Sequence, residues 1–310
     1  MNFAQFTFDQ VCPQNRFLAE MSGVVPWGLF ERELKKGIVR KTGGRPAYPI
    51  LQLFKMHLLQ VWFGLSDAGC EFQIRDRLSF RKFLGLGIDE AVPDSTTLEN
   101  FRHDFEPIAE GVLAKLDNFF KEKGLLLKEG NMIDATFIQA NSRPHKDPEK
   151  NSDLDADHGH KGFGYTTTVN ADVGSKLIRK VYTDSARPHD SQHVQSVLKG
   201  DESLMYADSG YQGTQDTLAK QKCKARFMAK RKRGKKGEPT PPLPLRLKYL
   251  NRLYAKTRAR VEHIFGIWKT VFKIQRACYR GLERVNQQMQ SLALAYNLRR
   301  YGFLSRAKCA

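Results

Sequence analysis

The sequence predicts an α/β protein in which a mixed sheet flanked by helices follows an all-helical region. Residues 1 to about 130 carry apolar side chains at helical spacing and contain no convincing strand. Beyond them, β-compatible and helical runs alternate in the order three strands, helix, strand, helix, strand and long helix. That order implies helices packed against a sheet. We therefore predict two domains, residues 1–130 and 131–305.

Helical patterns dominate the first domain. The stretch "YPILQLFKMHLLQVWFGL" has apolar residues at helical spacing, and Pro49 suits a first turn. In "PDSTTLENFRHDF", Asp94 and the two residues after it can cap a helix, and Thr96–Glu99 fits a capping box. A single long amphipathic helix is then expected over 105–123.

The second domain supplies the strands. "NMIDATFIQA" alternates as a strand does, and "GYTTTVNADVGSKLIRKVYT" indicates two strands around a turn at 172–175. "SLMYADSGYQG" predicts an apolar strand that ends in a glycine-rich loop, and "ARFMAK" predicts a short last strand. Between them, "DSQHVQSVLKG" predicts a short helix capped by Asp190 or Ser191. Two long helices, at about 246–272 and 281–300, finish the chain.

Two segments lack a regular pattern. The polar insert at 141–164 contains "DLDADHGH", which suggests a calcium loop but has His158 and Gly164 where the template needs Gly and Glu. We therefore expect a solvated loop there rather than a metal site. The basic, proline-rich segment at 230–245 is predicted to be a loop.

The charge balance points to a polyanionic partner. The 310 residues include 51 Lys+Arg and 33 Asp+Glu, a net charge of +18, which favours nucleic acid over a merely solvated basic surface. The five cysteines form no C-x-x-C pair, which argues against a zinc site or a disulfide framework. With no signal peptide or membrane-length apolar run visible, we expect a cytoplasmic protein without a membrane partner.

Three carboxylates stand where apolar or basic residues would be expected. Alternation places Asp134 on a largely apolar face of the first strand, and Asp208 ends the fourth strand before a glycine. Each alone is equally well explained as a capping or turn residue. At about 100° per residue, Glu262 shares one helix stripe with Arg258 and Lys269. An Arg258–Glu262 surface pair would explain that stripe without any function.

Taken together, the three carboxylates predict a metal site. Oxygen ligands suit Mg²⁺, and two such ions about 3.5–4 Å apart can clamp the attacking and leaving oxygens of a phosphoryl transfer. The neighbouring Arg258 and Lys269 would then hold a DNA backbone. This interpretation assigns Asp134, Asp208 and Glu262 to metal binding.

Four ordered stretches make the chain resemble a bacterial insertion-sequence DDE transposase of the IS-five/IS-four type. They are "MIDATFIQA", "ARPHDSQHVQSVL", "YADSGYQG" and "YAKTRARVEHIFGIWK". The last is similar to the group's Tyr, Arg, Glu, Lys signature, with the expected spacing from Arg258 to Glu262 to Lys269. Tyr254 would be the DNA-contacting tyrosine of that signature, although three residues separate it from Arg258 where the signature usually has two.

The resemblance implies a ribonuclease H-like catalytic domain at 131–305 that uses Mg²⁺, with Mn²⁺ as a substitute. It implies cutting at transposon ends and attack of the freed 3′-OH on target DNA, with Asp134, Asp208 and Glu262 as catalytic metal ligands. Arg258 and Lys269 would contact double-stranded DNA near the terminal inverted repeats. A homodimer on DNA and association with the bacterial nucleoid are also expected.

Other candidates have equally simple structural explanations. Residues 1–130 would recognise transposon ends, with Arg102 and His103 facing DNA, although a capped amphipathic helix usually just packs. The pair His189 and Asp190 would assist near the metal, unless Asp190 is a helix cap. A basic run would track phosphates or form a solvated loop, and it consists of Lys230, Arg231, Lys232 and Arg233.

Two alternative functions remain open. A ribonuclease H-like nuclease would cut without strand transfer. A transposase-derived DNA-binding protein would bind without cutting, although such a chain need not keep Asp134, Asp208 and Glu262.

Overall fold

The computed structural model describes residues 15–38, 47–126, 129–231 and 241–309. The chain divides into two compact units. The first contains the described residues up to Lys115, with Thr270–Ile274 and the chain from Gln290 onward. The second contains Leu116–Lys269 and Gln275–Met289.

Helices make up the first part of the chain, as the apolar spacing predicts, and no strand occurs among its described residues before 129. The helices are α1 Arg16–Val24, α2 Trp27–Gly37, α3 Ile50–Phe63, α4 Asp67–Asp76, α5 Leu78–Leu84, α6 Ser95–Phe105 and α7 Ala109–Glu122. Pro49 precedes α3, and Gly64 ends it in the left-handed conformation that glycine adopts without strain.

Two details of these helices differ from the sequence prediction. Asp94 caps α6 by accepting a hydrogen bond from the Thr97 amide, so the predicted Thr96–Glu99 capping box is wrong. The predicted helix over 105–123 is interrupted by a 3₁₀ turn at Glu106–Ile108. Pro107 lies in that turn, where a missing amide proton and a fixed φ favour a helix start over a helix interior.

Aromatic side chains form much of the core of the first unit. The Phe54 ring lies 5.0 Å from that of Phe30 and 5.7 Å from that of Phe105, and all three side chains are buried. His57 is buried beside them, and its Nε2 lies 2.9 Å from the Ser291 hydroxyl. Burial, together with the positive charge of Arg102, lowers the pKa of His57 to about 4.

The second unit is built on a six-stranded sheet. Its strands are β1 Asn131–Gln139, β2 Asp157–Gly159, β3 Gly162–Asp172, β4 Ile178–Ser185, β5 Leu204–Ala207 and β6 Lys224–Phe227. The main path runs β2-β3-β1-β5-β6, and β4 also pairs with β3. The β1–β3 and β3–β4 pairs are antiparallel, whereas β1–β5 and β5–β6 are parallel.

The strand order confirms the mixed sheet that the sequence predicts. The turn between β3 and β4 falls where expected, since the amide and hydroxyl of Ser175 both donate to Asp172 Oδ2 at 2.7 Å. The remaining helices are α8 Val194–Val197, α9 Gln215–Lys220, α10 Leu245–Thr270 and α11 Leu282–Cys309.

The polar insert is better ordered than its composition predicts. It contains β2, and Asp153 within it is 3% exposed. Asp153 Oδ1 accepts hydrogen bonds from the Tyr165 hydroxyl at 2.7 Å and from the Gly281 amide at 3.2 Å. Asp155 accepts from the Leu282 amide at 2.8 Å, where α11 begins. The prediction of a wholly solvated loop is therefore wrong, because its acidic residues satisfy backbone donors at a helix start.

A buried ion network ties α7 to the sheet. Asp117 of α7, 1% exposed, accepts from Arg179 of β4 at 3.2 Å and lies 2.9 Å from the ammonium group of Lys199. Arg179 also forms a two-pronged contact with Asp201, with both bonds at 2.8 Å. Several cations around one buried carboxylate offset its desolvation cost.

No helix in the described ranges is both long enough and apolar enough to cross a lipid bilayer.

The buried His57 should make stability depend on pH. The unfolded chain protonates this histidine near pH 6.5, whereas the folded chain resists protonation down to about pH 4. The free energy of unfolding should therefore fall as pH drops through that window, by up to about 3 kcal/mol. Urea unfolding of wild type and His57→Asn between pH 7 and pH 4.5 measures the difference. Parallel pH profiles for the two proteins would contradict a buried neutral imidazole.

Candidate active site

Asp134 and Asp208 lie on neighbouring parallel strands. The β1–β5 pairing joins Asn131 to Met205 and Met132 to Tyr206. Continued by two residues, this register places Asp134 opposite Asp208, directly after β5. Parallel strands in this register present both side chains on the same sheet face.

Arg258 of α10 connects that sheet face to the helix. Its Nη1 donates to Asp134 Oδ2 at 2.9 Å, and its Nη2 donates to Glu262 Oε1 at 3.0 Å. The Arg258–Glu262 pair expected of a surface helix is therefore present, but the same guanidinium also holds the strand carboxylate. Its buried Nε has no hydrogen-bond partner among the described residues.

The surroundings of Asp134 disfavour its ionised form. Burial raises its pKa to about 6, and the negative charges of Asp208 and Asp190 add to this effect. The positive charge of Arg258 and a hydrogen bond from the Ala135 amide oppose it. A carboxylate in this setting gains from a nearby cation.

Asp208 has a local structural role as well. Its Oδ1 accepts a hydrogen bond from the Gly210 amide at 2.7 Å and caps the 3₁₀ turn Ser209–Tyr211. The capping explanation offered by the sequence is thus correct for one of its oxygens. That bond leaves the second oxygen available for another partner.

Tyr211 is a site residue that the sequence analysis did not single out. Its side chain is 2% exposed, and its hydroxyl has no hydrogen-bond partner within the described parts of the chain. Burial raises its pKa well above the usual value, and the charges of Asp190, Asp134 and Asp208 raise it further. The "YADSGYQG" stretch contained the signal, an aromatic residue three positions after the strand-ending aspartate.

The residue that caps the turn after β4 is His189, whereas the sequence suggests Asp190 or Ser191. The 3₁₀ turn spans Asp190–His193, and His189 caps it by accepting from the Ser191 amide at 3.3 Å. The prediction that Asp190 or Ser191 caps this helix is therefore wrong, because the turn already begins at Asp190. Asp190 instead acts electrostatically on Asp134 and Tyr211.

Comparisons with known proteins identify the family of this chain. The family described as "Transposase DDE domain" matches residues 126–298, more than half of the chain. The chain belongs to the DDE transposase family. A second family, described as "Transposase domain (DUF772)", matches residues 6–104.

A solved structure of another transposase is similar to this one. It is the piggyBac transposase synaptic complex with hairpin DNA, at 12% sequence identity and a TM-score of 0.49. The similarity covers 99% of this chain and 76% of that one.

The remaining DNA-contact candidates of the transposase lie on α10 or in the chain after β6. Lys269 is exposed close to the end of α10. Tyr254 is half-buried, and its ring lies 5.9 Å from that of Tyr206 in an edge-on contact. Lys230 and Arg231 are exposed, whereas Lys232 and Arg233 lie outside the described residues.

Arg102 does not face solvent as predicted. It is 6% exposed, and its two terminal nitrogens contact the two oxygens of Asp67, Nη2 to Oδ2 at 2.8 Å. On α6 it lies next to Phe101 and one turn from Leu98, both buried, so its position belongs to the packed side of the helix. The prediction that Arg102 contacts DNA is therefore wrong, while His103 beside it is exposed.

A complete metal-ligand set is not preassembled in this conformation. Across the described ranges, no three His, Cys, Asp or Glu side chains lie close enough together to hold a metal ion. The reason is visible at Arg258, whose guanidinium lies between Asp134 and Glu262. Glu262 is 60% exposed and free of close packing.

Loss of Arg258 should destabilise the transposase. In Arg258→Gln, the largely buried Asp134 carboxylate loses its cation and faces the charges of Asp208 and Asp190, so we expect about 1–3 kcal/mol less stability. Adding Asp134→Asn should restore part of that loss, as measured by urea unfolding in a double-mutant cycle.

A matched control for this cycle lies two residues away. Arg260 pairs with the exposed Glu129 at 3.4 Å and donates to the Val173 carbonyl oxygen at 3.0 Å. Since neither partner is a buried charge and the glutamine amide is also a donor, Arg260→Gln should cost at most about 1 kcal/mol. If Arg258→Gln and Arg260→Gln are equally stable, the contact between Arg258 and Asp134 does not contribute as described.

Proposed function

We propose that this transposase binds transposon ends, cuts them, and joins the freed 3′-OH to target DNA. The catalytic metal ligands would be Asp134, Asp208 and Glu262. The observation that supports this most is the meeting of β1, β5 and α10, where Arg258 holds Glu262 to the strand that carries Asp134. Polynucleotidyl transfer is the activity expected of the family.

The donor set fits Mg²⁺, with Mn²⁺ as a substitute. All three proposed ligands are carboxylates, the donors that hard divalent cations prefer. Burial raises the pKa of Asp134, and the charges of Asp208 and Asp190 raise it further, so a bound cation would stabilise the ionised carboxylate. When bound, two such ions would stabilise charge on the attacking and leaving oxygens of an in-line displacement.

The chain's own residues would position the DNA. Arg258 presents a planar guanidinium beside the carboxylates, and a scissile phosphate could take the place of one of its two carboxylate partners. Lys269, seven residues after Glu262 on the same helix stripe, would hold an adjacent phosphate as a point charge. The buried Tyr211 side chain would limit the access of water to Asp134. The charge of Asp190 would act on both of these side chains.

Charge on the rest of the chain supports binding to double-stranded DNA. The net charge of +18 favours a polyanion, and exposed candidates include His103, Lys230 and Arg231. These groups would bind terminal inverted repeats or target DNA. Two ends must meet in one complex, so we propose a homodimer on DNA. Sedimentation of the protein on paired ends tests this, and a monomer there would exclude it.

Glu262→Gln should abolish catalysis while leaving DNA binding in place. The amide keeps the size of the side chain but removes the charge that would hold metal, so end cleavage and strand transfer should fall at least about a hundredfold. The assay uses Mg²⁺ and DNA carrying the repeats that flank this reading frame. Gel-shift measurements on the same DNA monitor binding.

Glu129→Gln provides the matched control. Glu129 is 53% exposed and paired with an arginine, as Glu262 is, but it contacts Arg260 instead of Arg258. It should cut and join like wild type. If Glu262→Gln also reacts normally, Glu262 is only a surface partner of Arg258. Cutting without joining by wild type would favour a nuclease, and binding without any reaction would favour a non-catalytic DNA-binding protein.

A further inference from the structure

A pocket of about 430 Å³ opens between β1, the end of the polar insert and the segment that leads into the 3₁₀ turn Asp190–His193. Residues 135–137 of β1 form one wall, residues 158–161 at the end of the polar insert form a second, and residues 186–190 form a third. The pocket begins at Ala135, directly after Asp134, and ends at Asp190, whose charge acts on Asp134. The roles proposed above for Asp190 and the other site residues do not involve a ligand bound in this pocket.

The rim of the pocket is rich in groups that bind phosphate. Lys161 and His160 make no hydrogen bond or ion pair with any residue in the described parts of the chain, and both are exposed. The ion pair of Arg187 with Asp157 is long, at 3.7 Å, and the Arg187 side chain is 80% exposed. Most of this positive charge is therefore available to a ligand. The exposed rim residues are His158, His160, Lys161, Arg187 and His189.

An aromatic side chain lines the same pocket. Phe137 is half-buried on β1, and its ring lies beside Gly162. A side chain at Gly162 would contact the ring at 3.5 Å, so the glycine leaves that part of the ring uncovered. Accessible aromatic rings beside cationic groups are the usual means of binding a base together with its phosphate.

We propose that this pocket binds one unpaired nucleotide of the DNA strand next to the phosphate that is cut. Its volume suits a single nucleotide and is too small for a duplex. Phe137 would contact the base, while Lys161 and Arg187 would hold the phosphate. Since Asp190 lines the pocket and its charge acts on Asp134, an occupant would hold the DNA strand close to the proposed metal ligands. The inference rests on the proposed function and adds a DNA-positioning subsite to it.

Photocrosslinking locates the occupant directly. DNA carrying a photoreactive base at each of three positions on either side of the cut site is bound to Glu262→Gln protein, which prevents turnover. We expect one position to crosslink to the peptides that contain residues 135–137, 158–163 or 186–190. Crosslinks confined to α10 or the N-terminal helices would overturn the proposal.

A pair of matched variants measures the contribution of the pocket to cutting. Lys161→Gln with Arg187→Gln removes two rim charges, whereas Lys146→Gln with Lys150→Gln removes two exposed charges of the same insert outside the pocket. The rim variant should lose the crosslink and cut about tenfold or more slowly, and the control should match wild type. Equal cutting by the two variants would refute the subsite while leaving the proposed function intact. Absence of DNA cutting by wild type would overturn the proposed function and, with it, this inference.

Discussion

One guanidinium joins the strand and the helix on which the proposed active site depends. Arg258 donates to Asp134 and Glu262, the first of them 124 residues away in the chain. The contact satisfies a carboxylate that burial would otherwise penalise, and it holds α10 against β1. A buried ion pair of this kind contributes little net stability compared with apolar packing, but removal of one partner is costly. We therefore interpret it as a device that positions charge.

The parallel pairing of β1 with β5 is the second constraint. Because the side-chain period of a strand is two, a shift of one residue would turn Asp208 to the opposite face from Asp134. On the other side of β1, close packing holds the antiparallel register with β3. Gly164 pairs with Gln139 of β1, and a side chain at Gly164 would overlap the Ile138 carbonyl oxygen. The buried ion pairs around Asp117 and Arg179 hold α7 against β4.

The sequence predicts much of this fold because its strands and helices carry strong periodic signals. The mixed sheet, the turn after Asp172 and the two final helices all follow from apolar spacing and turn residues. The carboxylates of the site were identifiable because each interrupts a pattern. The failures came from residues whose surroundings are set by distant parts of the chain. Arg102 could not be distinguished from a DNA-contacting arginine until its partner Asp67 was located.

The same dependence on distant parts of the chain explains why some residues of the site were not predicted. Nothing in the local sequence shows that Tyr211 would be buried among three acids, or that Asp190 would face Asp134 instead of capping its own turn. The pocket beside Asp134 is likewise built from three separated segments, so no single stretch indicates it. The order within the polar insert depends on the start of α11, which lies more than a hundred residues later.

Iron-mediated cleavage of the protein chain tests most directly whether Asp134, Asp208 and Glu262 together bind the two metal ions. Fe²⁺ bound in place of Mg²⁺ reduces added hydrogen peroxide to a hydroxide ion and a hydroxyl radical and is itself oxidised to Fe³⁺. The radical cuts the backbone close to the metal, and the fragments are identified by mass spectrometry. If they do, cuts cluster near these three residues, are suppressed by excess Mg²⁺ and are lost in Asp208→Asn. Cuts confined to the acidic part of the polar insert, near 153–157, or scattered along the chain would contradict a metal site at these residues.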